Sequence, residues 1–408
     1  MQSPTLRMIG QAYPWDLVDH PGRAAQWREG GVDELAIASS YHAVRALSWR
    51  PDGSVAVIQQ QRSAHYLPGS DRWVGRALRP RPPVGLPHNL FPRSVDTARE
   101  AGLGVRAWVV LTHADHEAGS PEAAFSTVDL FGNRSRFALC PSNAEVREYA
   151  RGLLVDVLNQ TGVDRFLIES LQPLGFRHLV AHDKSPFSAL DDSAIDLLSV
   201  CFCTACEQDA RQRGIDLAAA GAVLRAAFAR GRARGGGRPG AAATADEVAA
   251  VLVQLDELRR SASTRFLSEL AEPEGGQPLD LTLAATAHQQ TFGPFASVTS
   301  ADAQPGGASG FCAELSAPGG AGWADAQTFA EWGAARVAGT LNLTRSGATV
   351  REALADSHPT GTPPIGALDE LFLYHLGAQR PADFDTLGLA ELPGARTRSI
   401  PTETEPDR

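Results

Sequence analysis

The sequence predicts an α/β fold, namely a single (β/α)8 TIM barrel. The first support is alternation, because segments that read as buried strands are separated mostly by segments with helical spacing of apolar residues, which is typical of a parallel sheet. The second is a count of eight candidate strands. They lie at 33–40, 105–113, 126–138 (a short strand within this range), 164–169, 279–286, 309–315, 336–344 and 370–377. The third is that 408 residues suffice for one large barrel with insertions.

The clearest strands are short runs rich in β-branched and aromatic residues. VRAWVVLTH at 105–113 is apolar almost throughout, as expected of a strand buried on both faces of a parallel sheet. DELAIASS ends at Tyr41 and His42, and VDRFLIE ends on an acid, Glu169. Between the first two predicted strands, turn residues at 51–53 predict a hairpin.

Helical and flexible segments fill most of the remaining chain. Residues 207–275 have helical patterning, interrupted by RGRARGGGRPGAAAT at 230–244. We expect this Gly/Arg-rich tract to be a flexible surface insertion. We assign residues 1–393 to the barrel and expect the polar, proline-containing segment 394–408 to be a disordered tail.

Composition limits the classes of partner. An apolar fraction of 43% is enough for a sizeable core, and a net charge of −10 argues against nucleic acid and anionic membranes as partners. No apolar run approaches the roughly 18–20 residues of a membrane span, and the first residues lack the apolar stretch of a signal peptide. Together with closely spaced cysteines, these features predict a cytoplasmic protein with reduced thiols. The Ala/Arg/Gly-rich, Lys-poor composition indicates a bacterial source with a GC-rich genome.

Polar residues collect where the predicted strands end, which in a (β/α)8 barrel is the edge that carries the active site. Seven of the 11 histidines lie at or just after such ends, and this clustering favours a working cleft over random placement. Our candidates for substrate binding are Tyr41, His42, His113, His178, His182, Lys184, Asn342 and His375.

Four cysteines predict a metal site. Cys201, Cys203 and Cys206 form a Cys-x-Cys-x-x-Cys cluster, and Cys140 lies upstream of it. Four thiolates satisfy tetrahedral Zn2+, and a closed all-cysteine site is structural rather than catalytic. We expect this zinc to brace the loop after the fourth strand. Cys312 competes with Cys140 for the fourth ligand position, but it lies in an apolar strand and has the character of a core residue.

Glu169 is the leading candidate for catalysis. It ends an apolar strand, where an ionised carboxylate buried without partners would be costly. At a strand end of such a barrel, a carboxyl of this kind is often an acid or base with a raised pKa. The alternative is a structural salt bridge, for instance with Lys184 or Arg177.

The run FGNRSRFALCPSNAEVREYAR, the strand that ends in Glu169 and the later cysteine cluster together resemble glycoside hydrolase family 42 β-galactosidases of clan A. The resemblance covers residues 131–210, and its order of cysteine, glutamate and cysteine cluster is fairly specific. It implies a barrel in which the four cysteines hold zinc and Glu169, after barrel strand 4, is the general acid/base. The chain is also similar to uncharacterised bacterial glycosidase-like barrels that have a His-rich loop after this strand.

The chain departs from the family at the second carboxylate. A retaining glycosidase needs one roughly 5–5.5 Å from the first, and the family places it after strand 7, where VAGTLNLTRSG has no acid. Glu314 on strand 6 and Asp115 after an earlier strand are the candidates to replace it. In addition, Ile168 precedes Glu169 where the family has asparagine, and the loop after Glu169 is longer.

Three functional readings follow. The first is a carbohydrate-active hydrolase acting on a small carbohydrate or glycoside, with Trp73 and Tyr374 as further candidates for stacking on a sugar. The second is a metal-dependent hydrolase, lyase or isomerase that uses the histidines as ligands. The third is a catalytically inactive barrel that binds a carbohydrate or a protein. A homo-oligomer is compatible with each reading, and we expect the long loop after Glu169 to fold over the barrel mouth, where His182 would contact substrate.

Overall fold

Eight parallel strands form a closed barrel in the computed structural model, which confirms the predicted fold class. The strands are β1 (Arg7–Ala12), β2 (Glu34–Tyr41), β3 (Gly104–Val110), β4 (Arg165–Glu169), β5 (Asp280–Thr286), β6 (Gly310–Glu314), β7 (Val337–Asn342) and β8 (Glu370–Tyr374). Each strand pairs with the next, and β8 pairs with β1 to close the barrel. The structure describes residues 6–50, 52–176, 190–232, 243–272, 277–288, 293–304, 307–343, 349–380, 384, 387–389 and 392.

The predicted set of eight strands was wrong in one member. The segment 126–138 forms a separate antiparallel hairpin, Ser126–Val128 with Arg134–Leu139, rather than a barrel strand. The first barrel strand is instead β1, RMIGQA, which the sequence analysis missed because Gly10 and Gln11 interrupt a very short apolar run. The strand that ends at Tyr41 is therefore the second in the barrel, whereas the numbering from β4 onward is unchanged.

Alternation along the strands divides the apolar residues into two layers. Ile9, Leu167 and Phe372 belong to a cluster inside the barrel, together with Tyr13 and Trp108. The intervening strand residues point outward into a larger core between the strands and the surrounding helices. Because successive side chains of a strand face opposite sides, the same alternation places every second polar residue of a strand inside the barrel.

Helices cover the outside of the barrel. They are α1 (Trp15–Val18), α2 (Gly22–Glu29), α3 (Ser70–Trp73), α4 (Leu90–Glu100), α5 (Ala144–Thr161), α6 (Asp192–Ser199), α7 (Thr204–Gln212), α8 (Leu217–Arg232), α9 (Ala245–Ala271), α10 (Ala321–Glu331) and α11 (Val350–Ser357). The N-terminus of α9 is fixed by a capping box in which Thr244 and Glu247 bond each other's backbone amides. None of the helices in the described ranges has the length and apolar character to cross a membrane.

Three further predictions concern a hairpin, a flexible insertion and the C-terminal tail. The hairpin predicted at 51–53 is confirmed, since Val44–Trp49 pairs antiparallel with Val55–Gln60. Of the proposed flexible insertion at 230–244, residues 233–242 lie outside the described residues. The proposed tail, 394–408, also lies outside them.

The amino end of the barrel is closed by a buried network of ion pairs. Arg106 on β3 is fully buried and bonds Glu34 on β2 at 3.0 Å and Glu370 on β8 at 2.8 Å. Burial alone would raise the pKa of Glu34, but the charges of Arg106, Arg165 and Arg7 outweigh it and lower this pKa. The active sites of such barrels lie at the opposite, carboxyl end of the strands. This network therefore has a structural role and is not part of the candidate active site.

Candidate active site

A cavity of about 190 Å³ lies at the carboxyl end of the barrel. Four of the residues that line it, Glu169, Glu314, Asn342 and Tyr374, are the last residues of their strands. The complete lining in the described structure is Gln11, Leu167, Glu169, Ala284, Pro294, Phe295, Cys312, Glu314, Ser316, Thr340, Asn342 and Tyr374. The cavity therefore contains two of the proposed catalytic carboxylates and two residues proposed to contact substrate, Asn342 and Tyr374.

The alternation of the strands aims these side chains inward. On β4, Leu167 lies in the inner cluster and Glu169, two residues later, faces the same side. On β6, Cys312 and Glu314 repeat this relation. Even-numbered strands contribute side chains to the same layers of such a barrel, so the carboxylates of β4 and β6 and the phenol of Tyr374 on β8 meet at one level.

Glu169 is half-buried, and its surroundings raise the pKa of its carboxyl group. Burial raises the pKa of Glu169 to about 7, and the charge of Glu314 adds to this effect. The Trp108 indole N–H donates to Oε2 of Glu169 at 2.9 Å, which favours the ionised form and opposes the rise. A carboxyl that titrates near neutral pH suits a group that both gives and accepts a proton.

The backbone after Glu169 is held in an unusual conformation. Ser170 has φ of 58°, and it is the one non-glycine residue with positive φ in the described chain. Its N–H donates to the carbonyl of Pro294 at 2.9 Å, and its own carbonyl accepts both the N–H and the hydroxyl of Thr112. A sparsely populated conformation persists only where the surroundings determine it, and such positions cluster at functional sites. The loops after β3 and β5 thus fix the direction of the chain beside Glu169.

Glu314 is more exposed than Glu169 and stands at the start of a tight connection. Its carbonyl accepts the N–H of Ala317 at 3.0 Å. Any Cβ at Gly322, near the start of α10, would collide with this carbonyl, so the helix approaches the strand end closely only because glycine is present. The packing of α10 therefore sets the position of Glu314.

Aromatic side chains form the wall of the barrel next to Glu169. Tyr41 packs edge-on against Trp108, with ring centroids 4.7 Å apart, and Tyr374 lies 5.8 Å from Trp108. Burial, then the charge of Glu169, raises the pKa of Tyr374 to about 12, so its phenol remains a hydrogen-bond donor. Tyr41 is buried, and Trp73, proposed for sugar stacking, is buried elsewhere and donates to Asp156 at 2.8 Å.

The histidines that were proposed to bind substrate lie in different parts of the structure. His42 and His113 stack on each other with ring centroids 4.1 Å apart, and both are partly exposed. His375 is buried with Nε2 3.3 Å from the Tyr13 hydroxyl, and burial, followed by the charge of His42, lowers its pKa to about 3. His178, His182 and Lys184 lie outside the described residues.

Asp115, the other proposed partner of Glu169, does not line the cavity. Its carbonyl accepts from Arg81 at 3.1 Å, in the loop after β3. Among the described residues, potential metal ligands group together only in the cysteine cluster, so His113, Asp115 and His116 do not assemble a metal site. This arrangement leaves Glu314 as the second carboxylate of the cavity.

Cys140, Cys201, Cys203 and Cys206 do come together. Their sulfur atoms all lie within 4.8 Å of one another, with Cys140 Sγ 3.4 Å from Cys206 Sγ and 3.8 Å from Cys201 Sγ. In a tetrahedral site with Zn–S bonds of about 2.3 Å, sulfur atoms are about 3.8 Å apart. The N–H of Val128 also donates to Cys201 Sγ at 3.4 Å. The cluster is therefore compatible with a bound metal ion, and Cys312 lies apart from it inside the barrel.

A second cavity, of about 210 Å³, lies beside the cysteine cluster. Leu252, Leu255 and Leu258 of α9 line it, together with residues of α6 and the cysteines themselves. It is not at the strand ends and does not contain the paired carboxylates, so we do not assign it to catalysis.

Comparisons with solved structures support the predicted fold. No protein-family model matches the chain, and no curated protein sequence matches it. The catalytic domain of β-amylase from Paenibacillus polymyxa is similar in structure over 97% of this chain and 100% of that chain, with a TM-score of 0.54 and 9% identity. α-L-fucosidase isoenzyme 2 from Paenibacillus thiaminolyticus matches over 94% of this chain, with a TM-score of 0.50 and 10% identity, and this chain spans 48% of its length.

These likenesses show the (β/α)8 barrel fold alone and carry no evidence of an activity. A family 42 β-galactosidase from G. stearothermophilus matches over 87% of this chain and 43% of that chain, with 12% identity and a TM-score of 0.40. A likeness with so low a TM-score supports no inference about this chain. The resemblance to family 42 therefore rests on the motif in residues 131–210.

Several cavity residues were absent from the sequence-based candidates. Gln11 was missed together with β1. Trp108, which does not line the cavity but bonds Glu169, was taken only as part of an apolar strand. Thr340 lies two residues before Asn342 and Cys312 two before Glu314, so strict alternation from each proposed strand end would have identified both. Phe295 lies in a loop, and no local pattern marks it.

Proposed function

We propose that this protein is a carbohydrate-active, glycoside hydrolase-like enzyme in which Glu169 is the general acid/base. One observation carries the proposal: Glu169 and Glu314 line the same cavity at the carboxyl end of the barrel, and burial raises the pKa of Glu169 to about 7. Glycosidases use a pair of carboxyl groups, one of which donates a proton to the leaving oxygen. The fold of the structural neighbours is consistent with this chemistry.

Glu314 is the proposed partner. Glu314 is exposed, whereas Glu169 is half-buried and has a pKa raised by burial, and such a difference in environment is typical of acid/base pairs. Glu314 then acts either as a nucleophile on the anomeric carbon or as a base on a water molecule. Asn342, Tyr374 and the polar residues of β1 and β7 line the same cavity, and we propose that they bind the sugar hydroxyls.

The histidines and Tyr41 support the site around this cavity. We propose that His42 and His113, which stack on each other in partly exposed positions, contact substrate at the mouth. Tyr41 and His375 are buried against the inner aromatic wall, where they hold Trp108 and Tyr13 in place. His178, His182 and Lys184 remain predictions for the loop after β4.

The cysteine cluster is proposed to hold structural zinc. Four sulfur ligands at distances that suit a tetrahedron fit this ion better than a hard, oxygen-seeking cation. Zinc at this position would join the hairpin after β3 to the start of α7, and it would not take part in the reaction. Cys140, Cys201, Cys203 and Cys206 would be its ligands.

A carbohydrate-binding barrel without turnover is the second candidate. Asn342 ends β7, where the resembled family carries its second carboxylate, and an amide can bind a hydroxyl group but cannot act as nucleophile. This candidate predicts the same cavity and the same ligands. It differs in predicting no role for Glu169 in proton transfer.

The test is turnover of a panel of aryl glycosides by the full chain, with binding measured in parallel. We expect Glu169→Gln and Glu314→Gln each to reduce kcat by at least about a thousandfold while the circular dichroism spectrum is unchanged. Small nucleophiles such as azide should partly restore the activity of whichever variant lacks the general acid/base. Glycoside binding without turnover by the wild-type protein would favour the second candidate. Turnover that neither substitution reduces would exclude both carboxylates as catalytic groups.

A further inference from the structure

Gln11 is the polar side chain that β1 contributes to the cavity. It is only 4% exposed, and it lies in the same lining as Glu169 and Glu314. Its neighbours on β1 explain its direction, because Ile9 and Tyr13 belong to the inner cluster whereas Met8 and Ala12 belong to the outer core. The side chain therefore faces the interior of the barrel, where it lines the cavity.

The hydroxyl of Thr340 on β7 fixes the orientation of this amide. Thr340 Oγ1 donates to Oε1 of Gln11 at 3.1 Å. The carbonyl end of the amide is thus occupied, and the Nε2 group, with two N–H donors, is the end that is available to the cavity. No partner for Nε2 is present among the described residues.

The polar residues that line the cavity then differ in hydrogen-bonding character. Glu169 and Glu314 present acceptor oxygens, apart from the proton that Glu169 carries, whereas Gln11 presents donors. A sugar hydroxyl is both a donor and an acceptor, so it can donate to a carboxylate and accept from Gln11 at the same time. Phe295 and Pro294 line another part of the cavity and offer an apolar surface, which suits the C–H face of a pyranose ring.

We propose that Gln11 is a specificity-determining residue that donates its Nε2 hydrogens to a hydroxyl oxygen of the sugar ring bound between Glu169 and Glu314. Thr340 is the positioning residue that keeps the amide in this orientation. The inference rests on the proposed function, and it adds the hydroxyl recognition that neither carboxylate supplies. A buried donor left without an acceptor is unfavourable, so the site selects against sugars that lack this hydroxyl.

The experiment compares wild-type protein with Gln11→Met and Thr340→Val, which keep side-chain volume but remove the amide and the hydroxyl. The probes are methyl glycosides of galactose, glucose, mannose and fucose and their singly deoxygenated analogues, with binding measured by calorimetry and by ligand-observed NMR. Gln59→Met, an exposed position on the Val55–Gln60 strand, is the matched control. Melting temperatures identify any variant that does not fold.

We expect Gln11→Met to lose at least tenfold in affinity for the preferred glycoside and Thr340→Val to lose a smaller factor, about threefold. One deoxy analogue should bind Gln11→Met at least as tightly as the wild type, because it lacks the hydroxyl that Gln11 recognises and leaves the wild-type amide without an acceptor. In turnover, the loss should fall mainly on KM. Folded Gln11→Met with unchanged affinity and unchanged preference among the deoxy analogues would overturn the inference alone. Wild-type protein that binds none of the glycosides would overturn the proposed function as well.

Discussion

Trp108 donates its indole N–H to Oε2 of Glu169 at 2.9 Å, across the neighbouring strands β3 and β4. Trp108 is fully buried, so the bond forms in surroundings with little water to replace it. Burial raises the pKa of Glu169, and this hydrogen bond limits the rise. Oε2 of Glu169 is therefore held by Trp108 at the edge of a cavity that Glu169 itself lines.

Trp108→Phe should raise the pKa of Glu169 further, by about one unit, since a hydrogen bond to a charged group is worth about 1.5–3 kcal/mol and part of it is replaced by solvent. A general acid works while protonated, so the basic limb of the kcat/KM profile should move to higher pH. A 13C NMR titration of labelled glutamate measures the same shift without substrate. Trp323→Phe, which removes an indole bond to Ser357, is the control and should leave both readouts unchanged.

Glu169→Gln should stabilise the protein at alkaline pH. The pKa of Glu169 is raised in the fold from 4.5 to about 7, so the native state binds more protons than the unfolded state between these values. Stability then falls as pH rises through this window, by up to about 3 kcal/mol. We expect the difference in melting temperature between Glu169→Gln and wild type to be small at pH 4.5 and largest at pH 8.

The same comparison with Glu117→Gln, at an exposed position, should show no such pH dependence. Asp16, whose pKa burial also raises to about 7, is present in both proteins, so its contribution cancels. A Glu169→Gln variant that is less stable than wild type at pH 8 would contradict the raised pKa.

Cys203→Ser should lower zinc content and thermal stability together. Removing one of four ligands opens the site, and metal binding of this kind contributes directly to folding free energy. Mass spectrometry of the purified protein should give about one zinc per chain for wild type and much less for the variant. Cys312→Ser, inside the barrel and away from the cluster, should keep its zinc. Wild-type protein that holds no zinc even after reconstitution would exclude the assignment.

Arg106→Met should strongly destabilise the barrel without changing the pH profile of turnover. The substitution removes the one fully buried guanidinium that bonds both Glu34 and Glu370, while the less buried Arg7 and Arg165 still pair with them. Breaking a buried ion pair costs about 3–5 kcal/mol. Urea denaturation measures the loss, and adding Glu34→Gln and Glu370→Gln to the variant should recover part of it. Arg99→Met, at an exposed helix position, is the surface control, with an expected change within about 0.5 kcal/mol.

Seven of the eight barrel strands could be predicted from the sequence, but the first could not. Alternation of strands and helices was enough to predict the fold, since long-range pairing follows once each strand is known. β1 was not recognisable because one of its inward-facing residues is the polar Gln11 rather than an apolar side chain. The polarity that hides the strand from a hydrophobicity pattern also places an amide in the cavity. The hairpin at Ser126–Val128 and Arg134–Leu139 has the local character of a strand, and its position outside the barrel depends on contacts distant in sequence.

Prediction of the candidate site was similarly uneven. Glu169 was identifiable because an acid after an apolar run is rare, and the cysteines were identifiable by spacing. Whether Glu314 or Asp115 accompanies Glu169 depended on which strand ends face one another, which no local pattern encodes. The bond from Trp108 to Glu169 joins residues 61 positions apart, so only the strand pairing reveals it.

The chain beyond β4 is anchored at both ends. At one end the backbone of Ser170 is bonded to Thr112 and Pro294, and at the other the N–H of Phe202 donates to the carbonyl of Val128 at 2.7 Å beside the cysteine cluster. For a segment tied down in this way, added length changes the loop-closure entropy only logarithmically. We therefore expect insertions and deletions between these anchors to leave Glu169 in place, which makes this connection a natural position for loop exchange.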